Sequence, residues 1–242
     1  MPRPRPRGRA RQRAPAAGPR CGAGPLRAGT GPRRAVTRTA VVTGGSGGIG
    51  SEVVSELRAR GWNVISLSRR DGTDVSDEDA VVSAFGRLDS LDSLIHCAAE
   101  LIKRPFADMT AEDWDAQLGV GLRGAFLCSR EAFRLMRGRG GTIVIVSSLS
   151  GVFGAEKFPG MAAYVAAKSG LAGLTEALAV EGREHGIRVN AVSPGAVDTP
   201  MLRVAGVEGP ALEPAEVARV IVWLASPESA PLSGANLRMD PS

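Results

Sequence analysis

The sequence is poor in aromatic residues, histidine and cysteine. Phe, Trp and Tyr make up 4% of the 242 residues, and there is a single Tyr. A core must therefore be assembled from Ala, Val, Leu and Ile, and a hydrophobic content of 43% supplies enough of them. Only two His are present, His96 and His185, which leaves little for a histidine-rich metal centre or a histidine-based triad. The three Cys, at 21, 97 and 128, are odd in number and form no CxxC pair. That excludes a disulfide framework and points to reduced thiols in a cytoplasmic setting, with no metal site expected. Long uninterrupted apolar runs are missing, so no membrane span is expected. Lysine is scarce as well, with 3 Lys against 27 Arg.

Acidic residues are absent from the start of the chain, and the first is Glu52. Residues 1–38 hold eleven Arg, so the overall charge of +5 hides a remainder of 19 bases against 25 acids. A basic extension precedes an acidic domain. Seven Pro among the first 32 residues break any continuous helix, and few large apolar side chains are available to offset chain entropy. Residues 1–37 are therefore expected to be a disordered Arg/Pro-rich tail, and 38–242 a single domain. An organelle transit peptide would suit the Arg content, but the prolines oppose the amphipathic helix it needs. A nucleic-acid-binding arm rests on charge alone. The preferred reading is a dispensable tail, with no nucleic-acid partner.

From Thr39 the texture changes to short β-branched runs alternating with helical spacing. Strands are expected at 39–42, 63–68, 93–98, 142–147, 187–192 and 235–239. Helices are expected at 48–60, 111–136, 163–185 and 214–225. This alternation predicts an α/β fold, a Rossmann-type doubly wound parallel sheet in one domain.

The first strand runs into Thr43-Gly44-Gly45-Ser46-Gly47-Gly48-Ile49-Gly50. Gly44 permits a sharp turn off the strand, Gly48 a close approach of backbone to a pyrophosphate, and Gly50 tight packing of helix on sheet. The helix N-terminus then offers free N–H groups to phosphate. Dinucleotide binding by Thr43, Gly44, Ser46, Gly48, Ile49 and Gly50 is the expectation. The second strand ends in Ser68, followed by Arg69 and Arg70, where an acid would bind a ribose 2′-hydroxyl. Ser68 and Arg69 favour the 2′-phosphate of NADP(H) over NAD(H), although Asp71 nearby keeps NAD(H) open. Tyr164 and Lys168 are four residues apart in a helical pattern and share a face, a pairing suited to acid/base work by a phenol. Ser147-Ser148 closes one buried strand, and Ser193-Pro194-Gly195 closes another with Thr199 after it. Both lie at the edge where open α/β sheets place their sites.

Taken together, the TGxxxGxG turn, the Ser148…Tyr164-x-x-x-Lys168 set and the Pro194-Gly195…Thr199 loop resemble the short-chain dehydrogenase/reductase family, of the 3-oxoacyl-reductase-like kind. The resemblance covers about 39–240. It implies that Ser148 polarises a carbonyl and Tyr164 transfers a proton. Lys168 would hold the nicotinamide ribose and lower the Tyr pKa. Pro194, Gly195, Val197 and Thr199 would line the nicotinamide, Asp74 and Val75 the adenine, and Ala98 the adenosine side. Asn190 matches a structural position of the family. The implied activity is an NADP(H)-dependent ketoreductase or alcohol dehydrogenase acting on a small-molecule carbonyl or alcohol. The implied assembly is a homotetramer or homodimer built on the helices at 111–136 and 163–185.

The chain departs from the family in several places. Gly121 stands where the family has a fourth catalytic residue, Asn. His96-Cys97-Ala98-Ala99 stands where it has NNAG, and a buried His96 is expected to be a satisfied core residue. Ser148 and Tyr164 are sixteen apart, about three more than in common members, with the extra length in 155–159, and the segment between Thr199 and Glu216 is short. The C-terminal end lacks the usual Asp-Gly-Gly. Gly121 motivates the alternative of a non-catalytic NADP(H)-binding protein. Acyl-thioester ketones, polyketides, steroids and sugars all stay open as substrates.

Overall fold

The computed structural model describes residues 37–241. The tail expected over residues 1–37 lies outside the described residues as far as Val36. Six strands form one sheet: β1 (Thr39–Thr43), β2 (Asn63–Leu67), β3 (Ser93–His96), β4 (Gly141–Val146), β5 (Ile187–Pro194) and β6 (Asn236–Met239). Every neighbouring pair is parallel, in the order β2-β1-β3-β4-β5-β6. Parallel strands buried on both faces read as continuous apolar runs, as in Ala40-Val41-Val42 and Ile143-Val144-Ile145-Val146.

Helices cover both faces, so the doubly wound arrangement holds. Against one face lie α1 (Gly48–Ala59) and, later in the chain, the helix Pro214–Ala225, enclosing Val53, Leu57, Ile95, Val144, Ile221 and Leu224. Against the other lie α2 (Glu78–Phe85), α4 (Gly124–Met136) and α5 (Ala162–Gly182), enclosing Phe85, Leu94, Leu127, Ile143 and Leu171. Each such side chain contributes about 1.5–3 kcal/mol by leaving water. Between α2 and α4 runs α3 (Ala111–Leu118), and α6 (Pro200–Ala205) precedes α7, the Pro214–Ala225 helix.

The expected helix over 111–136 is interrupted. A five-residue π-type turn, Gly119–Arg123, joins α3 to α4. The expected helix over 163–185 divides into α5 and a tighter turn, Arg183–His185, which Gly186 ends at φ 68°. β3 stops at His96, short of the expected Ala98, and β5 runs on to Pro194. Arg188 and Asn190 on β5 fasten the segment leading to β6. Arg188 Nη2 donates to Ser226 O at 2.9 Å, and Asn190 Nδ2 donates to Leu232 O at 3.0 Å.

Strand order reverses between β1 and β3. The chain moves outward from β1 to β2, then returns to the other side of β1 for β3. A crevice opens at the carboxyl ends of the strands there, and ligands of open α/β sheets bind at that place.

Candidate active site

The floor of the crevice is the turn from β1 into α1. Gly44 has φ +67°, and a Cβ on it would stand 2.9 Å from Ala98 N. Only glycine accommodates both the left-handed backbone and the close approach of the next loop. A Cβ on Gly50 would collide with Gly44 O, so α1 starts hard against the turn. Gly47, by contrast, has nothing within 4 Å of its would-be Cβ. The turn is thus closed on its sheet side and open at Gly47, where α1 begins without a side-chain cap. Such a cradle fits a dinucleotide phosphate.

Two cavities flank this turn. The larger, about 670 Å³, is lined by Gly47–Gly50, Ser148, Tyr164, Lys168, Pro194, Gly195, Val197 and Thr199. The smaller, about 230 Å³, is lined by Gly44, Ser46, Ser68, Arg69, Asp74, Val75 and Ala98. The site residues named from the sequence therefore divide between two cavities, the larger at the expected reacting end and the smaller at the expected adenosine end. Thr43 reaches neither cavity. It is fully buried, and its Oγ1 accepts from Ala98 N at 3.2 Å.

At the reacting end, Ser148 lies two residues past β4 and its Oγ accepts from Ser150 N at 3.1 Å. Tyr164 lies in the first turn of α5 and is 9% exposed. Burial pushes its phenol above the ordinary value, and a hydrogen bond with Ser148 opposes this. Lys168 is 3% exposed, and its Nζ donates to Val146 O at 2.7 Å. Burial brings the ammonium down to about 8. The Lys168 nitrogen stands 5.6 Å from the centre of the Tyr164 ring.

Behind these groups His96 is fully buried, as expected for a satisfied core residue. Its Nε2 lies 3.2 Å from Gly121 O, an acceptor only, so Nε2 carries the proton. Nδ1 then accepts from Thr43 Oγ1 at 2.9 Å. Burial, and then the Lys168 charge, hold the imidazole down at about 3, so it stays neutral. One ring thus ties β1, β3 and the π-type turn together. Gly121, where the family's Asn would be, sits inside that turn with space for a Cβ 3.4 Å from Ala167 Cβ. Cys97 faces the larger cavity, but burial pushes its thiol up to about 12, which keeps it protonated and a poor nucleophile.

At the adenosine end, Asp74 accepts from Ser76 N at 2.9 Å and Ser76 Oγ at 2.7 Å, and these bonds hold its carboxyl below the ordinary value. Asp71 accepts from Ser68 Oγ at 2.6 Å and Ser66 Oγ at 3.0 Å, which also lowers its carboxyl. Asp71 does not line the smaller cavity, whereas Arg70 does, beside Arg69. The sequence reading assigned no role to Arg70, Thr73 or Val120, all three in that wall. It also passed over the apolar walls of the larger cavity, Leu101, Leu149 and Met161 among them. Arg70 carried a signal in its position after β2. The others are joined to the site only by the fold.

A glycine cradle at a strand-order reversal, with Ser, Tyr and Lys at its reacting end, defines a nicotinamide-dependent oxidoreductase of Rossmann type. The family model described as enoyl-(acyl carrier protein) reductase matches residues 44–241, and the chain belongs to the short-chain dehydrogenase/reductase family. It is 34% identical over 235 residues to acetoacetyl-CoA reductase of Rhizobium meliloti (strain 1021), covering 84% of this chain and 96% of that one. It is 35% identical over 241 residues to cis-4-hydroxycyclohexanecarboxylate dehydrogenase of Sinomonas cyclohexanicum, covering 84% and 95%. Among solved structures, the aldohexose dehydrogenase of Thermoplasma acidophilum is similar with a TM-score of 0.77 and 26% identity, covering 84% of this chain and 92% of that one.

Proposed function

We propose that the protein is an NADP(H)-dependent ketoreductase or alcohol dehydrogenase, with Tyr164 as its acid/base. The observation that carries the reading is the meeting of Ser148, Tyr164 and Lys168 in one cleft, whose floor is the start of α1. When bound there, the nicotinamide supplies or accepts the hydride. In the direction of reduction, Ser148 Oγ–H and Tyr164 Oη–H would both donate to the carbonyl oxygen. As the carbon gained the hydride and the C=O π bond broke, Tyr164 would give its proton to the carbonyl oxygen and Ser148 would hold that oxygen. Lys168 and the positive nicotinamide would stabilise the resulting phenolate against its buried surroundings. Solvent then returns a proton to Tyr164.

Preference for NADP(H) is supported by Arg69 and Arg70 in the wall of the smaller cavity, and by Asp71 being engaged with Ser66 and Ser68. A 2′-phosphate there meets two guanidinium groups, and NAD(H) gains nothing from them. A homotetramer or homodimer is supported by apolar side chains left exposed on the two long helices, Phe126 on α4 and Val180 on α5. A cytoplasmic location is supported by the free thiols of Cys97 and Cys128. Among the described residues no helix is long and apolar enough to cross a membrane.

The test is NADPH and NADH oxidation, followed by absorbance, over a panel of carbonyl compounds. Turnover is expected, with NADPH preferred, and Tyr164→Phe should abolish it while NADPH still binds. Near-normal activity in that variant would overturn the role of Tyr164. Cofactor binding with no turnover across the panel would favour a non-catalytic protein. Arg69→Ala and Arg70→Ala should each raise the KM for NADPH by roughly tenfold or more, the loss of a charged hydrogen bond, and leave that for NADH unchanged. An equal rise for both cofactors would remove the two arginines from the discrimination.

A further inference from the structure

The wall of the larger cavity beyond Ser148 and Tyr164 is apolar. Leu101, Leu149, Phe158, Met161, Met201 and Leu202 form it. They come from four separate segments. Two of these are the 155–159 loop and the stretch after Thr199.

Charge in the lining is unevenly placed. Apart from Lys168, held at the reacting end by Val146 O, the lining contains one basic residue, Arg238. It is exposed on β6, and Asp240 follows two residues later in the same lining. Glu156 on the 155–159 loop and Glu208 after α6 also line the cleft, and both are exposed at its rim. Lys103 and Lys157 are outside that lining, and both are engaged with backbone carbonyls. Lys157 Nζ donates to Val152 O and Ala155 O, each at 2.8 Å, and Lys103 Nζ donates to Ala205 O at 2.6 Å. A carboxylate or phosphate entering past Glu156 and Glu208 would lose its water against the apolar wall, with exposed Arg238 the one cation of the lining outside the reacting end, which is costly. An uncharged apolar body would gain from the same wall.

We infer that the substrate is an uncharged ketone or secondary alcohol with a mainly apolar body, seated on Phe158 and Met161, with Glu156 and Glu208 turning anionic analogues away. This deepens the oxidoreductase reading and rests on it. It also sets the chain apart from the two curated relatives above, whose names specify a coenzyme A thioester and a carboxylate.

The test uses the full chain with NADPH, and with NADH in parallel. The probes are 4-methylcyclohexanone and 4-oxocyclohexanecarboxylate, which share a ring and differ in charge, together with acetoacetyl-CoA. The neutral ketone should be preferred in kcat/KM by about tenfold or more, mostly through KM. The Glu156→Gln, Glu208→Gln double variant should narrow the gap, and so should added salt, because charges at a wet rim are screened. Phe158→Ala should raise the KM for 4-methylcyclohexanone several-fold and leave kcat near its starting value. Equal or better use of the carboxylate or of acetoacetyl-CoA would overturn the inference and leave the oxidoreductase reading standing. An unchanged ratio in the double variant would remove the two glutamates from the selection. No turnover of any of the three, with cofactor still bound, would overturn the catalytic reading itself.

Discussion

His96 shows how a residue can be recognised in kind and still be unreadable in detail. The sequence reading expected a satisfied core histidine. It gave no hint that the partners would be Thr43 and the Gly121 carbonyl, at separations of 53 and 25 residues. Those partners are set by the Thr43–His96 register of β1 on β3, which only the folded sheet defines. The buried ring has a pH consequence. Its pKa falls from 6.5 to about 3 on folding, so below 6.5 the unfolded chain binds a proton that the native state refuses. The stability tied to neutral His96 is therefore complete above pH 6.5 and is lost as pH falls towards 3. The slope is at most about 1.4 kcal/mol per pH unit. Urea unfolding at pH 7 and pH 5 should show this loss in the unaltered protein and a shallower loss in His96→Asn. Equal slopes would mean that the ring is not the group being titrated.

At the scale of elements, sheet and long helices were legible because their patterns are local: β-branched runs for the strands, 3.6-residue spacing for α1, α5 and α7. The π-type turn was not. Apolar spacing over 111–136 continues through it, and one extra residue per turn leaves little trace in a pattern. Helix α2 was passed over because it has only 8 residues, although Asp77 caps it by accepting from Asp79 N and Ala80 N. Two glycines around the turn should respond oppositely to a methyl group. Gly121→Ala should stabilise the protein by roughly 0.5–1 kcal/mol, because its Cβ meets Ala167 Cβ at 3.4 Å and helical backbone favours Ala. Gly124→Ala should destabilise by about 1–3 kcal/mol, because its Cβ would stand 2.9 Å from Val75 Cγ2. Thermal unfolding of the two variants separates these outcomes, and a shared sign would mean that the turn rearranges.

For the molecule as a whole, the sequence named residues that line both cavities and missed the apolar side chains that line the larger one with them. The glycine turn and the Tyr164–Lys168 pair are local in sequence, whereas the apolar lining is gathered from distant segments. The described fold starts at β1 with no strand or helix before it from residue 37 on. Removal of residues 1–37 should leave the unfolding midpoint and the turnover unchanged, and a fall in either would give the Arg-rich segment a part in the working protein. The scarcity of aromatic residues has one more consequence. Tyr164 is the only phenol in 242 residues, and it lies buried between Ser148 and Lys168. Biosynthetic replacement by fluorotyrosine would put a single fluorine in the whole molecule. Its one resonance would report cofactor arrival and proton loss at the reacting centre, with no other signal to subtract.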